Sequence, residues 1–301
     1  MPSISRRTAV SLLAAAPLSL TAAPSRAGTA TVPLGYDKDG RPTAPVLING
    51  KGPFSLVADT AAGGSALTPA LAQELKLAAD PNADVAVRGA SGQSSVQLFN
   101  LDSLKVGDFE VKPAFATSLP NAGISDSRGV LGADVFLRAG RVEFDFEAGR
   151  LSLGESRAPA SPGWSALKAE LTRRIFAIVR ARVGDIELPA LVDSGARGTL
   201  ANLKLMAAMG YAQDDARLAL EAKPTGATGH VMRTWTGASA RVDLAGQVLA
   251  DQRLVFAELP VFGPLGLDEG PALLLGIDTL RRFGAVAVDY PRSEVQFRPR
   301  R

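Results

Sequence analysis

Two short turns, each with an aspartate followed by a hydroxyl residue, hold the side chains of this sequence best placed to do chemistry. Asp59-Thr60-Ala61 and Asp193-Ser194-Gly195 both follow an apolar run. A single Asp of this kind usually caps a helix or a turn. Two of them in one site permit acid-base chemistry on a carbonyl group, because one carboxylate can take a proton from water while a second, protonated carboxyl donates one.

The two turns belong to an internal repeat. Val130-Leu131-Gly132-Ala133-Asp134 is matched by Leu274-Leu275-Gly276-Ile277-Asp278, and the same number of residues then leads to Asp145 in one copy and Asp289 in the other. Between turn and Gly segment, each copy has a glycine-bracketed stretch, residues 89–92 and 226–229, that is typical of a hairpin tip. Landmarks repeated in one order indicate two copies of one unit.

The composition and turn signals predict an all-β fold. The chain has 30 Gly and 20 Pro among 301 residues, and Asn49-Gly50 between apolar runs predicts a hairpin. Short helices are expected from Thr68, with Pro69 as its first residue, and from Leu203 to Met209. The Gly/Pro/Ser-rich segment at residues 154–163 has linker composition, so we place the lobes at 28–157 and 158–301.

Residues 1–27 are predicted to be an export signal. The pair Arg6-Arg7 precedes a short apolar run, and Ser25-Arg26-Ala27 has the small residues of a cleavage site. The paired arginines favour the twin-arginine route over an ordinary secretory signal, which is the alternative, and predict a periplasmic or secreted protein. Removing the segment leaves equal numbers of basic and acidic residues, and no later stretch is long enough to span a membrane.

Composition also excludes several functions. The chain has no cysteine, so thiol catalysis and Cys-ligated metal sites are excluded. The balanced mature charge gives no support to nucleic-acid binding. His230 is the one histidine, and with no nucleophile elbow nearby it does not indicate a Ser-His-Asp triad; a solvated loop residue is the better interpretation.

The ordered set of Asp turn, Gly-bearing hairpin and Gly segment, found twice, resembles the retropepsin and pepsin group of aspartic peptidases. Asp193-Ser194-Gly195-Ala196 matches the family motif in full, and the resemblance covers both halves of the mature chain. It implies a bilobal pepsin-like fold built from two retropepsin-like β-barrel lobes. It also implies hydrolysis of an extended peptide or protein substrate by a monomer, with no cofactor and no metal.

The resemblance also assigns roles to residues. Asp59 and Asp193 would form the catalytic dyad, and Thr60 and Ser194 would be the hydroxyls that join the two turns. The remaining assignments are backbone N–H donors at Ala61 and Gly195, supporting glycines at Gly132 and Gly276, and substrate-binding flaps at Ala90, Ser91, Gly92, Ala227, Thr228 and Gly229.

Two positions depart from the family pattern. Ala61 stands where the family has Gly, and its methyl group restricts the backbone. The alternative function is therefore a catalytically silent peptide-binding relative, degenerate at Ala61. Arg197, four residues after Asp193, is expected to pair with a surface carboxylate. Asp134 and Asp278 precede short helical patterns and are predicted to be N-caps.

Overall fold

The structure is a computed structural model that describes residues 29–89, 92–119, 126–159, 162–224 and 230–301. The predicted export signal lies outside the described residues, as do five of the six predicted flap residues, Ala90, Ser91, Ala227, Thr228 and Gly229. Gly92 is described. Among the described residues, no helix is long and apolar enough to cross a membrane.

The first half of the chain consists mainly of strands, with two short helices. Its strands are β1 (Ala30–Pro33), β2 (Gly35–Tyr36), β3 (Pro42–Ile48), β4 (Lys51–Ala58), β5 (Ala66–Leu67), β6 (Ala79–Gly89), β7 (Gly92–Leu101), β8 (Leu104–Val106), β9 (Phe109–Val111), β10 (Ala114–Ser118), β11 (Gly129–Leu131), β12 (Arg141–Asp145) and β13 (Arg150–Gly154). Its helices are α1 (Pro69–Glu74) and α2 (Ala133–Ala139).

The second half follows the same plan. Its strands are β14 (Ser165–Lys168), β15 (Glu170–Thr172), β16 (Phe176–Val183), β17 (Ile186–Val192), β18 (Leu200–Asn202), β19 (Ala219–Pro224), β20 (Val231–Leu244), β21 (Gln247–Ala257), β22 (Leu273–Leu275), β23 (Ala285–Asp289) and β24 (Glu294–Arg298). Its helices are α3 (Leu203–Ala208) and α4 (Ile277–Leu280), with a 3-10 turn at Gly263–Leu265.

Each half builds its own sheet. The first sheet has the strand order β6-β7-β10-β5-β11-β4-β3-β8-β9, with β2 paired to β3. The second has the order β15-β16-β17-β22-β18-β21-β20-β19, and an additional pairing of β16 with β20 closes it on itself. Closure leaves fewer unpaired edges. The all-β, bilobal prediction is confirmed.

A third sheet joins the two halves. Its order is β1-β13-β12-β23-β24-β14, so that three strands come from each side. β12 and β23 pair antiparallel at its centre, where Glu143 lies opposite Ala287. We call it the interlobe sheet. The predicted boundary at residues 157 and 158 falls between β13 and β14 and stays a prediction.

The local signals read from the sequence produce the expected short elements. Asn49 and Gly50 have φ angles of 49° and 74°, which suits the tight turn between β3 and β4. Helix α1 starts at Pro69, and the Thr68 hydroxyl accepts a hydrogen bond from the Leu71 N–H. Helix α3 ends one residue before Met209, and Gly210 follows with a φ of 79°.

A continuous apolar core lies beneath these sheets. Aromatic pairs fill it on the inner face of the interlobe sheet: Phe136 packs edge-on against Phe144 with ring centroids 6.4 Å apart, and Phe283 lies 4.8 Å from Phe297. All four rings are buried. Rings packed in this way contribute beyond the area they bury, so each half has an aromatic pair that stabilises its side of the interlobe sheet.

Candidate active site

Two parallel strand pairs deliver the two aspartates. β4 pairs with β11 through Ala58 and Leu131, and the next residue, Asp59, donates its backbone N–H to the Leu131 carbonyl at 3.0 Å. In the second half, β17 pairs with β22 in the same way. The Asp193 N–H donates to the Leu275 carbonyl at 3.1 Å. Each aspartate therefore directly follows a strand that is hydrogen-bonded to a parallel neighbour.

The two turns are tied together by four buried hydrogen bonds. The Thr60 hydroxyl donates to the Val192 carbonyl at 2.8 Å, and the Ser194 hydroxyl donates to the Ala58 carbonyl at 2.7 Å. Each hydroxyl also accepts the backbone N–H of the other turn's hydroxyl residue at 3.1 Å. This reciprocal arrangement gives the two turns a fixed separation.

Backbone donors hold one oxygen of each carboxyl group. Asp59 Oδ1 accepts N–H groups from Ala61 at 2.8 Å and Ala62 at 3.0 Å. Asp193 Oδ1 accepts N–H groups from the two equivalent positions, both at 2.9 Å, which are Gly195 and Ala196. Fixed donors of this kind restrict the rotation of each carboxyl group.

The carboxyl groups of Asp59 and Asp193 lie within hydrogen-bond reach of each other at the junction of the two turns. Burial raises the pKa of Asp193 well above its usual range, and the negative charge of Asp59 raises it further. Burial also raises the pKa of Asp59, although the interactions with Ala61, Asp193 and Ala62 oppose that rise. Because both pKa values are raised in one shared site, the pair holds a proton between its two carboxyl groups at a pH where separate aspartates would be ionised.

Ala61 fits its turn without a left-handed backbone, and its methyl group packs against an apolar cluster that includes Phe176 and Phe262. Gly195, at the equivalent position, has no room for a methyl group. A Cβ atom there would lie 2.2 Å from Asp59 Cγ, closer than real Cβ atoms approach. The two turns are thus equivalent in hydrogen bonding and different in the space around them.

Gly132 and Gly276 support the turns from behind. A Cβ atom on Gly132 would lie 2.5 Å from the carbonyl carbon of Gly64, and one on Gly276 would lie 2.4 Å from that of Gly198. Both positions therefore require glycine. Their N–H groups donate, both at 3.1 Å, to the hydroxyls of the next polar residues of the turns, Ser65 and Thr199.

The predicted N-cap roles of Asp134 and Asp278 are wrong. Gly132 and Gly276 occupy the cap positions of α2 and α4, so each aspartate is the second residue of its helix. Asp134 accepts the Ser65 hydroxyl at 2.9 Å, and Asp278 accepts the Thr199 hydroxyl at 2.8 Å. They position the dyad turns instead of capping helices.

The environments of these two acids differ. Asp278 also accepts hydrogen bonds from the Gln252 side chain at 3.0 Å and from the Thr279 N–H at 2.8 Å. Burial raises the pKa of Asp134 to about 6, against the opposing effect of its hydrogen bonds with Ser65 and Val135. The first copy of the unit therefore has a carboxyl group that titrates near neutrality, directly behind the Asp59 turn.

The two hairpins that carry the predicted flaps meet at Gly92 and His230. The His230 Nε2 lies 3.1 Å from the Gln93 carbonyl and 3.5 Å from the Ser94 hydroxyl. A Cβ on Gly92 would come within 2.7 Å of the imidazole ring. His230 is exposed, as expected, but it contacts the opposite hairpin. The residues around it in the sequence gave no indication of this contact, because it joins distant segments.

Two other residues near the dyad were missed by sequence reasoning. Arg41 forms an ion pair with Asp37 at 2.7 Å, and its positive charge opposes the rise in the pKa of Asp59 that burial causes. Tyr290 is buried, and burial followed by the charges of Asp134 and Asp59 raises its pKa above its usual range. Neither lies in a motif, so only the fold brings them close.

Arg197 behaves as expected for a surface cation. Its guanidinium is largely exposed and lies 4.0 Å from Asp39. Among the described residues, no cluster of three or more His, Cys, Asp or Glu side chains could hold a metal ion.

Comparisons with known proteins agree with this geometry. A family model described as aspartyl protease matches residues 44–135 and 179–279, which together make up more than half of the chain. A comparison with curated proteins found no significant match. The two matched segments contain the two Asp turns and the two Gly segments, once each, and the chain belongs to the aspartyl protease family as two fused retropepsin-like halves.

Proposed function

We propose that this protein is an aspartic endopeptidase whose catalytic residues are Asp59 and Asp193. One observation carries the proposal: the four buried hydrogen bonds that join the two turns bring the carboxyl groups of Asp59 and Asp193 within reach of each other. Two like charges in such a site cannot both ionise at low cost, so the pair holds a single proton.

The reaction needs a water molecule between the carboxyl groups and the substrate. Ionised Asp59 accepts a proton from the water as it attacks the carbonyl carbon of the peptide. Protonated Asp193 donates to the carbonyl oxygen, and a tetrahedral diol forms. Return of a proton to the nitrogen then allows the C–N bond to break, giving a carboxyl and an amine product. No covalent bond to the protein forms.

The turn hydrogen bonds support this chemistry. Backbone donors at Ala61 and Gly195 orient each carboxyl group before substrate arrives, and the Thr60 and Ser194 links fix the distance between turns. Preorganised groups of this kind lower the barrier because little reorganisation is needed. The hairpins that meet at Gly92 and His230 would cover an extended peptide and exclude water.

The test uses the mature chain, its Asp59→Asn and Asp193→Asn variants, and Asp243→Asn as a matched surface control. Asp243 lies on β20, outside both Asp turns, and pairs with the exposed Arg241 at 2.9 Å. Each protein is incubated with denatured protein from acidic to neutral pH, and the products are read by mass spectrometry. We expect cleavage by the wild type and the control, and a loss of about a thousandfold or more in both dyad variants.

Two outcomes would contradict the peptidase. Equal cleavage by wild type and dyad variants would assign the activity to a contaminant. Binding of a statine-type inhibitor without any cleavage would favour the alternative, a silent peptide-binding relative. Ala61 still donates its N–H to Asp59, and its backbone conformation is ordinary. Both observations favour an active peptidase over the silent relative.

We also propose that the protein is exported to the periplasm and acts there as a monomer. Arg6 and Arg7 support the twin-arginine route, and one chain supplies both aspartates. A reporter fused behind residues 1–27 should reach the periplasm, and replacing both arginines with lysine should stop its export. Retained export would favour the general secretory route. The molar mass of the mature protein, measured by light scattering, tests whether it is a monomer.

A further inference from the structure

An open cavity of about 560 Å³ lies on the outer face of the interlobe sheet. Along β12, Val142 and Phe144 are buried in the core, so the alternating residues Arg141, Glu143 and Asp145 face the other side of the sheet. The cavity is lined by these side chains and not by the dyad. We call it the interlobe cavity.

Its lining is rich in arginine. Both halves and the segment between them contribute five guanidinium groups, from Arg141, Arg150, Arg157, Arg298 and Arg301. The lining has three carboxylates to balance them, from Glu143, Asp145 and Glu147. The buried Asp289, 3.9 Å from Arg141 Nε, adds a fourth carboxylate, so the arginines exceed the carboxylates around this concave surface by one.

The pairing within the cavity is shared unevenly. Glu143 accepts from both Arg141 at 2.6 Å and Arg157 at 2.7 Å, so one carboxylate serves two cations. Arg298 forms ion pairs with the other two carboxylates, Asp145 and Glu147, each at 2.7 Å. Arg150 has only a long contact with Asp145, at 3.8 Å.

Arg141 is the buried floor of the cavity. It is 5% exposed, and its Nε has no hydrogen-bond partner among the described residues. Asp289 lies 3.9 Å from that Nε, but its oxygens already accept the Ser156 hydroxyl and the backbone N–H groups of Arg157 and Arg292. Burial lowers the pKa of Arg141, against the opposing effect of Glu143, so burying this charge carries a cost.

We propose that the interlobe cavity is a binding site for a phosphate group, held by Arg150 and Arg157 above the buried Arg141. A guanidinium presents paired N–H donors that match the oxygens of phosphate, and several of them converge here. These three arginines lie on β12, at the start of β13 and in the segment that follows β13. The site does not depend on peptidase activity.

Inorganic phosphate is the first probe, and phosphoserine the second, to distinguish a free anion from a phosphate group on a larger molecule. Binding to the wild-type mature chain is measured by calorimetry. Thermal unfolding is measured beside chloride at equal ionic strength. Phosphate stabilises proteins in general by exclusion from their surface, so a saturable effect that requires the cavity arginines is the decisive observation.

Arg150→Gln is the main variant, since that side chain is 58% exposed and makes no short ion pair whose loss would disturb folding. Arg157→Gln is the second. Arg180→Gln is the matched control, because Arg180 is 67% exposed and pairs with Glu187 in the second lobe. We expect phosphate binding to weaken about tenfold or more in each cavity variant and to be unchanged in the control.

The proposal is overturned if the wild type shows no saturable binding of either inorganic phosphate or phosphoserine. Equal binding in the wild type, both cavity variants and the control would overturn it as well. Binding of phosphoserine alone would keep the site and assign it to a phosphate group carried on a larger molecule.

Discussion

At the scale of single residues, Asp59 and Asp193 lie where burial favours the neutral form of a carboxyl group. Both pKa values are raised in the folded protein, so it holds more protons than the unfolded chain above about pH 4. The dyad therefore contributes stability at low pH that is lost as the pH rises. Catalysis and stability make opposite demands on these two residues.

The variant Asp193→Asn should expose that conflict. We expect it to be more stable than the wild type at neutral pH, because Asn carries no charge and its oxygen still accepts the N–H groups of Gly195 and Ala196. The difference should shrink as the pH falls towards about 4. Thermal unfolding across pH measures it, with Asp243→Asn as control. A variant less stable than the wild type at neutral pH would contradict the expectation.

Asp134 should add a second pH dependence. Its raised pKa of about 6 means that stability declines as the pH rises from about 4 through 6, by up to about 3 kcal/mol. We expect Asp134→Asn, which can still accept the Ser65 hydroxyl, to remove this decline. Urea unfolding at several pH values, compared with Asp278→Asn, provides the measurement. Parallel curves for Asp134→Asn and the wild type would show that Asp134 does not titrate there.

The space around the two turns predicts opposite effects of one methyl group. In Gly195→Ala the new Cβ would collide with Asp59, so we expect activity to fall about a hundredfold or more. In Ala61→Gly the N–H to Asp59 remains, and we expect activity within a few-fold of wild type. Peptide cleavage and statine affinity are the measurements. Equal losses in both variants would show that the turns tolerate the same residues.

At the scale of elements, the reciprocal link between the turns should be a large contributor to stability. Thr60→Val keeps the shape of the side chain but leaves the Val192 carbonyl and the Ser194 N–H without their partner. We expect a loss of about 2–5 kcal/mol in the free energy of unfolding by urea, since both groups are buried. Thr60→Ser keeps the hydroxyl and should lose much less. Equal losses would assign the effect to packing.

Elements with short-range causes were predictable from the sequence. Thr68 and Pro69 start α1 because the cap and the missing N–H act within one turn, and Asn49-Gly50 closes its hairpin for a similar local reason. Asp134 was misjudged because Gly132, which has no side chain to signal a cap, takes that position. The pairing of β12 with β23 was not predicted, since residues far apart in the chain determine it.

The candidate site also divides into parts that local sequence signals predict and parts that depend on long-range contacts. The two Asp turns were found because the repeat supplied each with a partner. Arg41, Tyr290 and the contact of His230 with Gln93 were not found, because each acts across distant segments that only the folded chain brings together.

At the scale of the whole molecule, the interlobe sheet makes each half depend on the other. Separated at residues 157 and 158, the halves would expose β12 and β23 as unpaired strand edges. We expect each fragment alone to aggregate or pair with a copy of itself, and a mixture of the two to form a one-to-one complex. Light scattering after size-exclusion chromatography measures this. Two stable monomers that ignore each other would contradict it.

The difference between Ala61 and Gly195 shows what joining both turns in one chain allows. In a dimer of identical subunits, any residue at this position stands in both turns, whereas here each turn carries its own residue. A Cβ atom at Gly195 would overlap Asp59, so that turn is held to glycine. The Ala61 methyl group packs against an apolar cluster, so the first turn gains a contact that the second turn cannot have.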